Sequence, residues 1–364
     1  MANILDYLDW RGDLQISERG FNEVDNLLLA ELCYLDFGGI VPPGFDAPVP
    51  LQEAMRRYDV LREHESMGVL VPDQIPELGR RMAASARFSG LLLCGYENKI
   101  DDETQTQFSA LTLLLPDGTA YVAFRGTDDT IVGWKEDFNL AFATPVPAQL
   151  EAVRYLKQVA DVLACPLRVG GHSKGGNLAV YAAAFVGEDV QERILNVFNN
   201  DGPGHDLATL ESAGYRRIEK KLQTFIPKSS IIGMLLEHQE NYKIVKSSSI
   251  SIWQHNPFSW EINGDDFSYR SELTGDARYL NATLNQWIRA MSAEERAQLV
   301  DTIYGLIDLD NIATFAQLRA EWQTSFPEIF RSFSGLSPQN KAFLLQMLKE
   351  LASMGIKNFP ELFE

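Results

Sequence analysis

Residues 170–176 read GGHSKGG, and three different chemistries use glycine, serine and lysine at such close spacing. A phosphate-cradling loop needs G-x-x-x-x-G-K-[ST], with the lysine and hydroxyl after the second glycine. Here Ser173 and Lys174 come before Gly175, so the order is wrong. A dinucleotide fingerprint, G-x-G-x-x-G, is not present either. What fits is G-x-S-x-G, as Gly171-His172-Ser173-Lys174-Gly175: a sharp strand-to-helix turn that presents a serine hydroxyl. The reason is steric. A serine at the tip of such a turn sits in strained backbone, and the residues two before and two after it must lack side chains. By composition alone the pattern turns up in roughly one chain in ten of this length, so its setting decides.

That setting is a strand, PLRVGG, followed by a helix, GNLAVYAAAF. The turn leaves the amide of Lys174, at the helix N-terminus, aimed at a developing oxyanion. A second donor is expected upstream, where the strand in YVAFRGTDD ends at Arg125-Gly126-Thr127; Thr127 offers a backbone N–H and a hydroxyl there.

The elements that must carry these residues follow from the pattern around them. FSALTLLL, PDG and TAYVAFRG read as a hairpin. The helix PAQLEAVRYLKQVADVLA, with Leu150, Val153, Leu156, Val159 and Val162 spaced by three, then precedes PLRVGG. The strands ILNVFNN, KLQTFIP and YKIVKS come after the elbow. Strands alternating with helices predict a mainly parallel central sheet flanked by helices on both faces. Around this α/β core, residues 81–270, the sequence places an N-terminal helical and loop-rich extension over 1–80 and a C-terminal helical segment over 271–364. In that last segment Ser292 and Glu295 spell a capping box, with Leu299, Ile303, Leu306 and Ile307 as one apolar stripe. A final helix is expected from N-cap Ser337 and Pro338, through Phe343, Leu344, Met347, Leu348 and Leu351, to a stop at Gly355.

Composition narrows the partners. A chain of 364 residues, 45% hydrophobic and 23% charged, can bury a large core. Its net charge of -18 and pI near 4.7 argue against phosphate backbones and anionic membranes as partners. Cys33, Cys94 and Cys165 are far apart and odd in number, which suits small buried residues rather than disulfides or a metal site. The opening MANILDYLDWRGDL has no basic and apolar leader pattern, and no 18-residue apolar run occurs. The expectation is a cytoplasmic, soluble protein without a transmembrane segment, acting on a small-molecule or lipid ester without a metal or organic cofactor; oligomeric state is not legible.

AFRGT, then GWKEDFN, then GGHSKGGNLAVYAA resembles the class 3 (fungal-type) lipase superfamily, and RFSG, QFSALT, NNDGPG and QHNPFSW extend the likeness to a bacterial family of lipase-like α/β hydrolases. The resemblance implies the α/β-hydrolase fold, with Ser173 as nucleophile, Thr127 and Lys174 as oxyanion donors, and Trp134 and Asp137 as a structural W-x-x-D pair.

The nucleophile then needs a base and an acid, in the chain order serine, acid, histidine. Of five histidines, His64 sits in a charged helical stretch, His172 beside the nucleophile is expected to point away and pack, and His238 belongs to the helical-looking MLLEHQENY. His255, in the loop after YKIVKS, is the candidate base, with His205 in reserve. Class 3 lipases place their acid after the next strand, but QTFIPKSSIIG offers Ser229 and Ser230 and no carboxylate. Asp201, ending the preceding strand in NNDGPG, has the right order. It could equally cap the Gly-Pro-Gly turn, and Glu237 is a further candidate. The expected function is a serine esterase of the lipase-like type working through an acyl-enzyme. The alternatives are acyl transfer, or a hydrolase fold that binds a ligand or regulates without catalysis.

Overall fold

The computed structural model describes residues 1–62, 67, 71–101, 103–104, 106–128, 133, 136, 139–140, 145–304 and 336–358. Among the described residues, nine strands form one sheet in the order β1 to β8 and then β11: β1 Val49–Pro50, β2 Leu92–Asp101, β3 Thr106–Leu114, β4 Ala120–Phe124, β5 Leu167–His172, β6 Ile194–Asn200, β7 Leu222–Pro227, β8 Tyr242–Val245 and β11 Tyr269–Arg270. β9 Ile262–Asn263 and β10 Asp266–Phe267 make a separate two-stranded ribbon. Pairing is parallel from β4 through β8 and antiparallel at both flanks. The hairpin read from FSALTLLL-PDG-TAYVAFRG is β3 and β4, with Ala110 opposite Phe124 and Leu114 opposite Ala120.

Parallel strands laid side by side in chain order require every crossover on the same face, because β-α-β connections are right-handed. The crossover helices are α5 Pro147–Val162, α6 Lys174–Phe185, α7 Glu188–Arg193, α8 Leu207–Leu210 and α9 Ala213–Ile218. They pack with Val122, Phe124, Leu167, Val169 and Val197 in one core. The other face would be left bare. It is covered by α1 Ile4–Arg11, α2 Glu23–Leu32, α3 Leu51–Leu61 and α4 Ile75–Ala84, which share a second core with Tyr121, Ala123, Phe198, Phe225 and Val245. Alternate residues of β4 thus serve opposite layers, as the period of two in a strand requires.

The N-terminal layer is capped and tied. Asn3 with Asp6 and Asn22 with Asp25 form capping boxes at α1 and α2. Asp25 also receives Nε of Arg87 at 2.6 Å, the Arg87 Nη2 and the Tyr7 hydroxyl at 2.8 Å. The Arg87 guanidinium further donates to the carbonyls of Leu14, Arg19 and Gly20. A fully buried ion pair therefore locks the loop between α1 and α2 onto the segment entering β2.

Several expectations change. Leu150 and Val162 are exposed, Leu156 and Val159 are buried as expected, and Ala148, Ala152 and Tyr155 complete the buried face of α5. A strict spacing of three falls behind a helix of about 3.6 residues per turn, so the ends of such a series leave the buried face. Among the described residues the C-terminal segment holds α10 Gly275–Ala290, α11 Ala293–Tyr304 and α12 Pro338–Asn358. The Ser292 and Glu295 box forms, with reciprocal bonds of 2.8 and 3.1 Å, and Ser337 caps α12 at Asn340 N–H. Gly355 does not stop α12, which runs on to Asn358: a glycine weakens a helix by about 1 kcal/mol but keeps its N–H in the ladder. Leu306 and Ile307 lie outside the described residues. Ile288, Met291, Leu299, Leu344 and Met347 join these helices in a small core of their own. Cys33, Cys94 and Cys165 are free; the first two are buried and Cys165 is half-buried. No described helix is long and apolar enough to cross a membrane.

Candidate active site

Ser173 stands between the last residue of β5 and the first of α6 with φ +57° and ψ −134°, a left-handed conformation that a residue with a side chain rarely adopts. The neighbouring glycines show why the strain is tolerated. A Cβ on Gly171 would lie 2.3 Å from the carbonyl carbon of Gly175, and one on Gly175 would lie 2.1 Å from the Phe124 oxygen. The turn is therefore pressed against the end of β4 on one side. On the other, Ser173 N–H donates to the Asn200 carbonyl at 2.9 Å, which holds it to the end of β6.

Asp201 follows β6 directly, with φ +52° and full burial, and its N–H donates to the Phe225 carbonyl of β7 at 2.8 Å. Its carboxylate has two partners. Nδ1 of His255 lies 2.7 Å from Oδ2, and the Ser230 hydroxyl donates to Oδ1 at 2.5 Å. A carboxylate only accepts, so Nδ1 of His255 carries a proton, and in the neutral ring Nε2 keeps its lone pair. Ser230 stands in the segment after β7 where the class 3 pattern has its acid; here it orients the carboxylate of the adjacent strand end. Gly233 is needed beneath it, since a Cβ there would come within 2.2 Å of Oδ1.

His255 ends a short 3-10 turn, Ser251–His255, and its side chain is 23% exposed. The turn is fastened by Gln254, whose Oε1 accepts from Ser229 N–H at 3.2 Å and whose carbonyl accepts from the indole of buried Trp260 at 2.9 Å. Trp253, in contrast, is exposed.

Thr127 is half-buried just past β4. The loop approaches the elbow at Gly126, where a Cβ would meet the Tyr34 hydroxyl at 2.2 Å, the His172 carbonyl at 2.7 Å and Ser173 Cβ at 3.1 Å. The Lys174 side chain is buried, and its ammonium donates to the Gln107 carbonyl at 2.9 Å, to Gln107 Oε1 and to Glu136 Oε2 at 3.0 Å. Glu136 in turn accepts the N–H groups of Gln107 and Ala148 at 3.1 and 2.9 Å. Sequence reasoning passed over Glu136; the one hint is a lysine directly after the serine with a carboxylate in the nearby WKED. Trp134 and Asp137 lie outside the described residues.

The other candidates are engaged elsewhere. Glu237 pairs with Arg289 and bridges backbone with His205, so it is not the partner of His255. His205 is buried beside Asn177, at 3.4 Å, and burial lowers its pKa to about 4. His238 is not helical: only Ile232–Met234 makes a 3-10 turn, and Leu236 at φ +63° ends any continuation. Its ring bonds Glu240 at 2.9 Å and the Gly233 carbonyl at 2.7 Å. His64 lies outside the described residues. His172 does not point away from the site. Its ring centroid is 4.6 Å from that of His255, and its Nε2 lies 3.0 Å from the His255 carbonyl oxygen. The alternation of β5 places it on the N-terminal layer's side, and the loop bearing His255 folds back over that edge.

A serine on a strained strand-to-helix turn at the C-terminal edge of parallel strands defines an α/β protein of lipase-like build. The chain belongs to the Mbeg1-like family, whose model matches residues 82–305, more than half of its length. Among solved structures it is similar to a Rhizomucor miehei lipase in a propeptide complex, at 18% identity and a TM-score of 0.32, over 44% of this chain and 58% of that one. The chain therefore spans less than two thirds of that lipase. No curated protein matches it.

Proposed function

We propose that the protein is a serine hydrolase that cleaves carboxylic esters of acyl or lipid type, with Ser173 as nucleophile, His255 as base and Asp201 as acid. One observation carries this reading: the 2.7 Å bond from His255 Nδ1 to Asp201 Oδ2, at the strand end beside the strained Ser173. The bond leaves Nε2 as the free lone pair, which is what a base for a serine hydroxyl needs. Ser173 would attack the ester carbonyl as His255 takes its proton. The amides of Thr127 and Lys174 would stabilise the oxyanion, the alcohol would leave with that proton, and water would release the acyl group. Asp201 would hold the imidazole in one tautomer and offset its positive charge without taking the proton.

The Lys174 ammonium is turned into the Gln107 and Glu136 pocket, so its part in this chemistry is confined to its backbone N–H. The bond of Asp201 to His255 supports this reading over the non-catalytic alternative. Three free cysteines fit a reducing, cytoplasmic setting. The test is covalent labelling with a fluorophosphonate: the wild-type chain should be modified at Ser173, and Ser173→Ala should abolish modification while melting as the wild type does. A folded wild-type chain that resists the probe overturns the reading.

A further inference from the structure

Behind the elbow lies a buried cluster that the reaction above does not use. His172 is 5% exposed and reaches His255 through its Nε2, 3.0 Å from the backbone carbonyl. A carbonyl accepts only, so Nε2 carries a proton. The other ring nitrogen faces two groups from the N-terminal layer, the Tyr34 hydroxyl at 3.3 Å and Glu31 Oε1 at 3.3 Å. Glu31 is fully buried, and among the described residues neither of its oxygens makes an aligned hydrogen bond.

We propose that His172 is a positioning residue for His255, held as the Nε2–H tautomer by the Tyr34 hydroxyl at Nδ1 with the buried Glu31 carboxyl beside it, so that its one ring proton clamps the loop that carries the base. The inference deepens the hydrolase reading and rests on it for the word base, while the clamp itself is a matter of geometry. Burial supports the assignment from both sides: it pushes the Glu31 carboxyl well up and the His172 imidazole well down, the latter also through His255 beside it. A neutral imidazole carries one ring proton; with that proton on Nε2 toward the His255 carbonyl, Nδ1 is left to accept from the Tyr34 hydroxyl. His255 would thus be fixed at two points, through Nδ1 by Asp201 and through its carbonyl by His172.

The experiment combines variants of the full-length chain with two readouts. His172→Phe keeps a ring against His255 and removes the donor; His172→Gln returns an N–H near the position of Nε2; Glu31→Leu with Tyr34→Phe removes both groups at Nδ1. His172→Phe should lower the maximal rate of fluorophosphonate labelling roughly tenfold, at an unchanged half-saturating probe concentration, and His172→Gln should recover most of it. Ring-nitrogen NMR on histidine-labelled protein should show His172 as the Nε2–H tautomer in the wild type and as a mixture in the double variant. Labelling of folded His172→Phe within twofold of wild type, or an Nδ1–H tautomer in the wild type, overturns the inference. If the wild type is not labelled but the tautomer is Nε2–H and mixes in the double variant, the hydrolase reading fails and the clamp stands.

Discussion

At the scale of single residues, the site depends on which proton sits on which atom. Asp201 accepts from His255 Nδ1 and from the Ser230 hydroxyl, so its charge is stabilised by two donors inside a fully buried setting. Asp201→Asn would keep the size but present an amide that no longer enforces the Nδ1–H tautomer. The labelling rate at Ser173 should fall by about a thousandfold or more with little change in melting temperature. A rate within tenfold of wild type would remove Asp201 from the acid's role and return it to a turn cap.

At the scale of elements, the unusual feature is the layer supplied by α1 to α4. Sequential parallel strands send all their crossovers to one face, so these helices, with Phe258, Trp260, Ile262 and Phe267 beside them, cover the other and reach the site from below. Asn26 of α2 shows the link: its amide donates to Asn200 Oδ1 at 2.8 Å, and Asn200 donates to the Gly171 carbonyl at 3.0 Å, within the elbow. What fastens the layer is the pair Asp25 and Arg87, both side chains fully buried. Asp25→Ala would strand a guanidinium in the core and undo the α2 capping box, costing about 3–5 kcal/mol in denaturant unfolding. A loss under about 1 kcal/mol would mean that the layer is held by apolar burial instead.

At the scale of the whole molecule, buried neutral histidines tie stability to pH. His205 carries a folded pKa of about 4 against 6.5 when free, because burial disfavours its charge, and His172 is shifted in the same direction. The unfolded chain therefore binds more protons between those values. The His205 contribution is fully present above about pH 6.5 and is lost as pH falls toward 4, by about 3 kcal/mol, while the raised carboxyl of Glu31 acts in the opposite sense and offsets part of this slope. Neighbouring Glu240 does not compensate: burial raises its pKa, but bonds from His238, Thr224 and Tyr215 outweigh that and bring it to about 2, so it stays charged throughout. Unfolding midpoints at pH 7, 5.5 and 4 should fall in that order, and His205→Asn should flatten the slope. An unchanged slope would assign the acid sensitivity elsewhere.

The elbow was legible from the sequence by itself because its rule is local and steric. Gly171 and Gly175 are glycines for want of room, and any turn presenting Ser173 would demand them at those two positions. The hairpin, the parallel strands and the capping box at Ser292 were legible for the same reason, since each is written in a few neighbouring residues. β2 was not, because the irregularity between Cys94 and Glu97, with Gly95 at φ +64°, breaks its alternation. The tertiary structure alone decided what meets across long separations. Asp201 and His255 are 54 residues apart, Tyr34 and His172 are 138 apart, and no periodicity encodes either approach. A carboxylate's partner is set by how two loops converge over a strand end, and the layer beneath the site by where the crossovers leave the sheet uncovered.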